Sequence, residues 1–271
     1  MKKRVLLIMI AVFLTAIVIF FFFFSLPSNY KSKVVHNTHN INAFESPEMV
    51  AKVIVFSDLN LFYDYNVEDL KKVVTQINQE NPDIVIFNGD LIDSKSYKKN
   101  NKTTSEIISV LKEIQPVYGK FAILGEQDQK IKETRNILIN SDFEILTNVI
   151  RNIKINSKSF NLIGLLNNNK YSNTLNKLSD NSFNFVVTHN PEIIDSIKNY
   201  KINLIVTGHT LGGQYNLPLY GSLFNDIRSI PYYKGYNKIE GISVYNSNGL
   251  GIYQSSMRFL APSSIEVFEL Y

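Results

Sequence analysis

The sequence contains no cysteine. Disulfides, thiolate zinc sites and a lipid anchor on cysteine are therefore excluded, and the absence is compatible with either side of a membrane. Charge of one sign is also scarce. The formal net charge is +4 over 271 residues, and no dense basic run follows the first few residues. Nucleic acid is thus not expected as a partner. Polar residues are missing from residues 5–24, where Thr15 alone interrupts an apolar run. About 20 such residues are what a helix needs to cross a bilayer. A small-residue cleavage site is missing as well, because "FFFFFSLPSNY" offers bulky phenylalanines where A-x-A would stand. The expected reading is an uncleaved, single-pass transmembrane anchor over 5–24, with a signal peptide as the alternative. Lys2, Lys3 and Arg4 should keep residues 1–4 in the cytoplasm and the rest of the chain outside it, at the cell membrane.

What is present is a core. Hydrophobic residues make up 45% of the chain, enough for one sizeable α/β domain. Residues 25–50 are polar, carry two prolines and show no period, so they read as a tether. His36 and His39 fall within it and read as a solvated pair. From residue 51 to 271 apolar strands alternate with amphipathic helices. "KVIVFSD", "DIVIFNGD", "KFAILGEQD", "FNFVVTHNP" and "INLIVTGHT" are short buried strands. "VEDLKKVVTQINQE", "SEIISVLKEI", residues 130–139 and "PEIIDSIKNY" have helical spacing. The stretch "FEILTNVIRNIKINSKSFNLIGL" and the last thirty residues read as strands. Continuous apolar strands between helices indicate a mainly parallel sheet covered by helices.

Five polar clusters follow these apolar runs: Asp58, Gly89-Asp90, "GEQD" at 125–128, "THNP" at 188–191 and "GHTLGGQ" at 208–214. One Gly-Asp after a strand is ordinarily a turn, and one His there is ordinarily a hydrogen-bonded loop residue. In open α/β sheets, however, ligands bind beyond the carboxyl ends of the strands, so five clusters in register should meet on one rim. Asp and His are ligand types for Zn, Mn or Fe.

The order of these clusters resembles the calcineurin-like metallophosphoesterases. It resembles more closely their bacterial membrane-anchored phosphodiesterase branch, through "NLIVTGHTLGGQ", the following "YNLPLYG" and the late "YNSNGLGIYQSSMRF". The resemblance covers about residues 50–271 and implies layered sheets flanked by helices, preceded here by the transmembrane helix. It also implies a degenerate metal site. The family's D-x-H reads Asp58 and Asn60. Its GDxxD is intact, with Asp90 resembling the bridging carboxylate and Asp93 an orienting or capping residue. Its GNHD reads Gly125-Glu126-Gln127-Asp128, so Gln127 replaces the His expected to protonate the leaving oxygen. His189 and His209 are kept, and the last His is Leu211.

Sorted by metal site, Asp90, Glu126, His189 and His209 remain a plausible ligand set. Asp58 and Asn60 are left as a weakened second site. The resemblance implies a hydrolase of phosphoester or pyrophosphate bonds using one divalent ion (Mn, Zn or Fe). Its substrate would be a phosphate-containing small molecule or a lipid-linked one. The alternative it leaves open is a catalytically inactive pseudoenzyme that serves as a metal-binding or interaction module.

Overall fold

The computed structural model describes residues 2–24, 30–31, 34–99, 101–166, 170–253 and 257–271. Residues 25–29 and 32–33 of the expected tether and 254–256 of the late glycine-rich stretch lie outside the described residues.

Helix α1 (Lys2–Phe24) carries the basic end and the apolar run together. Its stretch Lys3–Phe20 has a mean hydropathy of 2.4 and is not buried against the rest of the chain. By length and composition it is able to cross a membrane or to serve as a signal sequence.

The strands are β1 (Val35–Ile41), β2 (Ala51–Phe56), β3 (Ile84–Asn88), β4 (Gly119–Ile123), β5 (Phe143–Ile145), β6 (Val149–Ile155), β7 (Lys158–Leu165), β8 (Phe183–Thr188), β9 (Leu204–Thr207), β10 (Asn216–Leu217), β11 (Gly221–Ser222), β12 (Gly235–Ile239), β13 (Ile242–Asn246) and β14 (Ser264–Leu270). They form two six-stranded sheets, ordered β1-β14-β2-β3-β4-β5 and β12-β13-β9-β8-β7-β6, with β10 and β11 as a separate hairpin. Strands β2 to β5 are parallel, as are β7, β8, β9 and β13. Helices α2 (Val67–Gln79), α3 (Asn101–Lys112) and α4 (Lys132–Asn140) flank the first sheet.

The period of two along each strand builds the layers. Ile54, Phe56, Val85 and Phe87 pack against Leu70, Val73, Val110 and Leu138 of the helices. Their alternates Val53, Val55, Ile84 and Ile86 pack against Leu162, Phe185, Val187 and Val206 of the second sheet. The outer face of that sheet, through Ile163, Val186 and Ile205, is covered by Ile194 and Ile197. The expected layered sheets flanked by helices are what the structure has. Two sheets share their inner faces, and helices cover only the outer ones.

Four local expectations change. Residues 35–41, part of the expected tether, form β1 and pair along their full length with β14. His36 and His39 are not a solvated pair. His36 Nδ1 lies 2.6 Å from Glu80 and His39 Nε2 lies 2.8 Å from the buried Glu266. The "PEIIDSIKNY" helix shrinks to a 3-10 turn over Pro191–Ile193 and a single turn, Ile194–Ile197. The last thirty residues begin and end in the strands β13 and β14.

Candidate metal centre

The loops that leave β2, β3, β4, β8 and β9 all emerge at the same rim, and backbone hydrogen bonds tie them together. Asp58 N–H donates to Gly89 O at 2.8 Å, Asn60 N–H to Asp90 O at 3.1 Å, and Gly208 N–H to His189 O at 2.9 Å. Asn88 Nδ2 donates across the two sheets to Thr188 O at 3.1 Å. Asp58, Asn60, Asp90, His209 and Leu211 all have positive φ, between 46° and 69°. Non-glycine residues rarely adopt that conformation, and strain of this kind gathers where a site dictates side-chain direction. Close approach also demands glycine. A Cβ on Gly89 (φ 88°) would stand 2.5 Å from His189 Nδ1.

Asp90, Glu126, His189 and His209 meet at this rim, one ligand atom from each lying within 4.8 Å of the others. His189 Nε2 is 3.3 Å from both Asp90 Oδ2 and Glu126 Oε2. His209 Nδ1 is 3.1 Å from Glu126 Oε2. His189 Nδ1–H donates to Asn88 O at 2.6 Å, which directs the lone pair of Nε2 into the cluster. His189 Nε2, His209 Nδ1 and Glu126 Oε2 are buried and have no hydrogen-bond partner among the described residues. Buried polar atoms left so cost about 1–3 kcal/mol each. Two carboxylates and two imidazoles with orphaned donor atoms are a set that fits a divalent cation.

The charges agree. Burial would raise Glu126, yet His209 and His189 more than offset it and hold its carboxyl well below the usual range. Burial would lower His189, but Asp90, Asp58 and Glu126 hold its imidazole well above its ordinary value. His209 is raised too, by Glu126 and Asp58, against burial and the neighbouring His189.

Asp58 stands outside the group of four. Its Oδ1 is 3.8 Å from His189, while Oδ2 accepts from Ser57 Oγ at 2.5 Å and from His209 N–H at 3.2 Å. Burial pushes its carboxyl up; His189 opposes this and Asp90 adds to it. Asn60 Oδ1 is buried without a partner among the described residues. Leu211 is buried and lines a pocket of about 210 Å³ beside His209. Gln127 N–H donates to Asp90 Oδ1 at 2.9 Å, but its side-chain oxygen accepts from Ser94 Oγ at 2.5 Å. Asp93 Oδ1 accepts from Ser96 N–H at 2.7 Å.

A family model described as calcineurin-like phosphoesterase matches residues 51–213, the stretch that contains all four clustered side chains. The chain belongs to that family. Over 227 residues this phosphoesterase is 30% identical to the uncharacterized metallophosphoesterase YkuE of Bacillus subtilis, covering 81% of this chain and 78% of YkuE. It is 23% identical over 221 residues to the phosphodiesterase YaeI of Escherichia coli, covering 79% of this chain and 80% of YaeI. The metallophosphoesterase Cj0846 of Campylobacter jejuni is 26% identical over 254 residues, 84% of this chain and 64% of Cj0846. Calcineurin-like phosphoesterases depend on metal, and Asp90, Glu126, His189 and His209 form a cluster able to hold a metal ion.

Sequence reasoning gave no role to three residues of the phosphoesterase rim. Asp128 accepts from the N–H groups of Asp90 (2.8 Å), Leu91 (2.9 Å) and Gly125 (2.9 Å), and so clasps two ligand loops. Burial and the neighbouring Asp90 push its carboxyl up to about 7 against those donors. Asn190 Nδ2 donates to Glu126 Oε1 at 3.1 Å, while its Oδ1 caps the following turn at Glu192 N–H. Its place before Pro191 is the one signal that marks it as a cap. Arg258 is buried, and its guanidinium donates to the carbonyls of Asn248, Gly249, Gly251, Leu211 and Ala261. Nothing near it in sequence announces that.

Proposed function

We propose that this chain is a membrane-anchored metallophosphoesterase that hydrolyses phosphoester or pyrophosphate bonds with a single divalent ion, held by Asp90, Glu126, His189 and His209. The observation that carries the reading is the convergence of those four side chains, three of whose donor atoms have no hydrogen-bond partner among the described residues. Anchoring is read from α1, and the basic residues before its apolar run favour an extracytoplasmic domain. The substrate class is a phosphate-containing small molecule or a lipid-linked phosphoester.

A divalent ion bound in this cluster supplies Lewis-acid polarisation of a phosphoryl oxygen. The protein's part is to hold and orient. Asn88 O fixes the His189 tautomer. Gln127 N–H fixes Asp90 Oδ1, and Asn190 fixes Glu126 Oε1. Glu126 brings a negative charge to a position where the family motif has a neutral Asn.

Turnover is expected to be slow. The Gln127 amide cannot transfer a proton and faces Ser94. A positioned acid ordinarily contributes ~10²–10⁴-fold. On the second-site side, Leu211 has no lone pair, Asn60 offers only a neutral carbonyl, and Asp58 is engaged by Ser57 and His209 N–H. The same observations favour a second reading, in which the cluster binds metal without turnover and the protein acts as an interaction module.

The deciding experiment is metal analysis of the detergent-purified full chain, with hydrolysis of bis-p-nitrophenyl phosphate. One bound ion and turnover that disappears in His209→Ala supports the enzyme. One bound ion without hydrolysis of any phosphoester supports the module. A chain that takes up no ion rules out both.

A further inference from the structure

Tyr30 and Lys31, the first described residues after α1, are already packed on the domain. The Tyr30 hydroxyl donates to Asp64, and its ring lies 6.0 Å from that of Tyr65. Lys31 Nζ donates to Asp64 O at 2.6 Å and pairs with Asp69 at 3.2 Å. Asp64 and Tyr65 belong to the loop that leaves the carboxyl end of β2 and begins with Asp58. The chain then runs onto β1, where Val35 N–H donates to Ser263 O at 2.8 Å. Ser263 Oγ in turn donates to Leu250 O, and Gly251 N–H donates to Asp58 O at 2.7 Å. The segment that follows α1 therefore enters the domain at the rim that carries the metal centre, not at the opposite end.

Only residues 25–29 separate Phe24 from Tyr30. Six Cα steps span roughly 20 Å at full extension. A six-residue strand is itself about 20 Å long, and loops lengthen the domain at both ends. A connection of that reach cannot pass from the rim around to the far end of the domain. If α1 lies in a bilayer, the rim is the end that stands beside it.

That rim carries exposed apolar side chains. Leu219 is fully exposed at the tip of the β10–β11 hairpin, and Tyr220 and Leu223 beside it are about half exposed. Leu260 and Tyr63 are exposed nearby on the same rim. Leu219 has a φ of 65°, so the hairpin holds a leucine outward in the left-handed region. Arg228 lies over the Tyr220 ring at 4.3 Å. Aromatic rings and long basic side chains at such a surface suit the headgroup level of a membrane. The hairpin is built onto the site. Ser222 Oγ donates to Gly213 O at 2.8 Å, Leu223 N–H to Tyr215 O at 2.8 Å, and Asn216 N–H to Phe259 O at 2.9 Å. The 210 Å³ pocket beneath it is lined by Leu211, Phe224, Ile227 and Tyr253 together with His209 itself.

We propose that the 216–224 hairpin inserts Leu219, Tyr220 and Leu223 into the headgroup region of the bilayer that holds α1, so that the metal centre opens onto the lipid surface. The proposal rests on the reading of α1 as a membrane span. It adds an orientation, a docking element and a route by which an amphipathic phosphoester reaches His209 without leaving the interface.

The chain has no cysteine, so single cysteines report cleanly. Full-length Leu219→Cys, Leu223→Cys, Val117→Cys and Leu14→Cys, each labelled with a nitrobenzoxadiazole dye, are reconstituted into phosphatidylcholine–phosphatidylglycerol vesicles. Quenching by spin-labelled lipid is then measured. Val117 is exposed at the opposite end of the sheet, next to Pro82. The expected result is strong quenching at 14, and quenching at 219 and 223 several-fold greater than at 117. Quenching at 14 with 219 and 223 no different from 117 overturns the docking and leaves the span intact. No quenching at 14 removes the span, and the docking falls with it.

Discussion

His209 Nδ1 lies 3.1 Å from Glu126 Oε2, and neither buried atom has a hydrogen-bond partner among the described residues. His189 Nε2 faces the same oxygen from 3.3 Å. One carboxylate oxygen thus sits between two imidazoles that point at it. Glu126→Gln keeps the shape and removes the charge. Divalent-ion affinity, measured by chelator competition, should fall at least tenfold, about 1.4 kcal/mol. Unchanged affinity would mean that Glu126 is not a ligand.

Protons and metal compete for the same nitrogens. In the metal-free chain His189 is held well above its ordinary value by Asp90, Asp58 and Glu126 despite burial, and His209 is raised by Glu126. Both imidazoles therefore hold a proton more tightly than a free histidine does, and any proton on the ligating nitrogen must leave for metal to bind. Release on binding makes affinity rise with pH, by roughly tenfold or more per unit while the imidazoles titrate. Calorimetry in buffers of different ionisation enthalpy should count the protons directly. A pH-independent affinity between 6 and 8 would contradict the assignment.

Gly125 allows the two carboxylate-bearing loops to touch. A Cβ there would overlap the Asp90 carboxylate and crowd its backbone nitrogen. Gly125→Ala has an acceptable φ but no room, and overpacking of this kind costs about 1–3 kcal/mol. A lowered melting temperature should accompany loss of bound metal, because the residue displaced is Asp90. A variant that melts as the parent does and keeps its ion would show that the loops yield more easily than their contacts suggest.

Arg258 joins the loop behind Asp58 into one piece. Its planar fork reaches five backbone carbonyls, and burial brings its guanidinium only down to about 10, so it stays charged at neutral pH. Lysine offers one charged centre and cannot span them. Arg258→Lys should cost several kcal/mol, at about 1–3 kcal/mol for each carbonyl left unsatisfied. Urea unfolding with an unchanged m-value measures it. A loss below about 1 kcal/mol would mean that the loop repacks.

The loops that converge at the rim were legible because each follows an apolar run, and strand ends in α/β folds carry sites. The layered sheets were legible through the family resemblance and not through the hydrophobic pattern. Val53 faces the other sheet and Ile54 faces helices, yet both are apolar, so the run reads the same whatever covers each face. Strand β1 was hidden because "VHNTHNI" has little apolar character and its partner, β14, is at the other end of the chain. Asp128 and Arg258 act on backbone atoms, and a side chain that binds backbone leaves no pattern in its neighbours.

The family resemblance implies that Asn60 and Leu211 stand in place of the first-motif His and the last His, two positions of one metal site. If their loss is a single event, restoring both should restore that site and restoring either should not. Asn60 Oδ1 is already buried without a partner among the described residues, and Leu211 already lines a pocket, so imidazoles are expected to fit at both positions. Both positions have positive φ, so each new histidine must adopt the conformation that Asn60 and Leu211 already hold. Asn60→His with Leu211→His should raise the bound ion count from one per chain to two, while each single variant stays at one. Phosphodiester turnover should rise with the second ion. Adding Gln127→His should raise it further, by as much as ~10²–10⁴-fold if the new imidazole reaches the leaving oxygen. A double variant that still binds one ion would separate the two losses and place the defect elsewhere, with the engaged Asp58 the next residue to test.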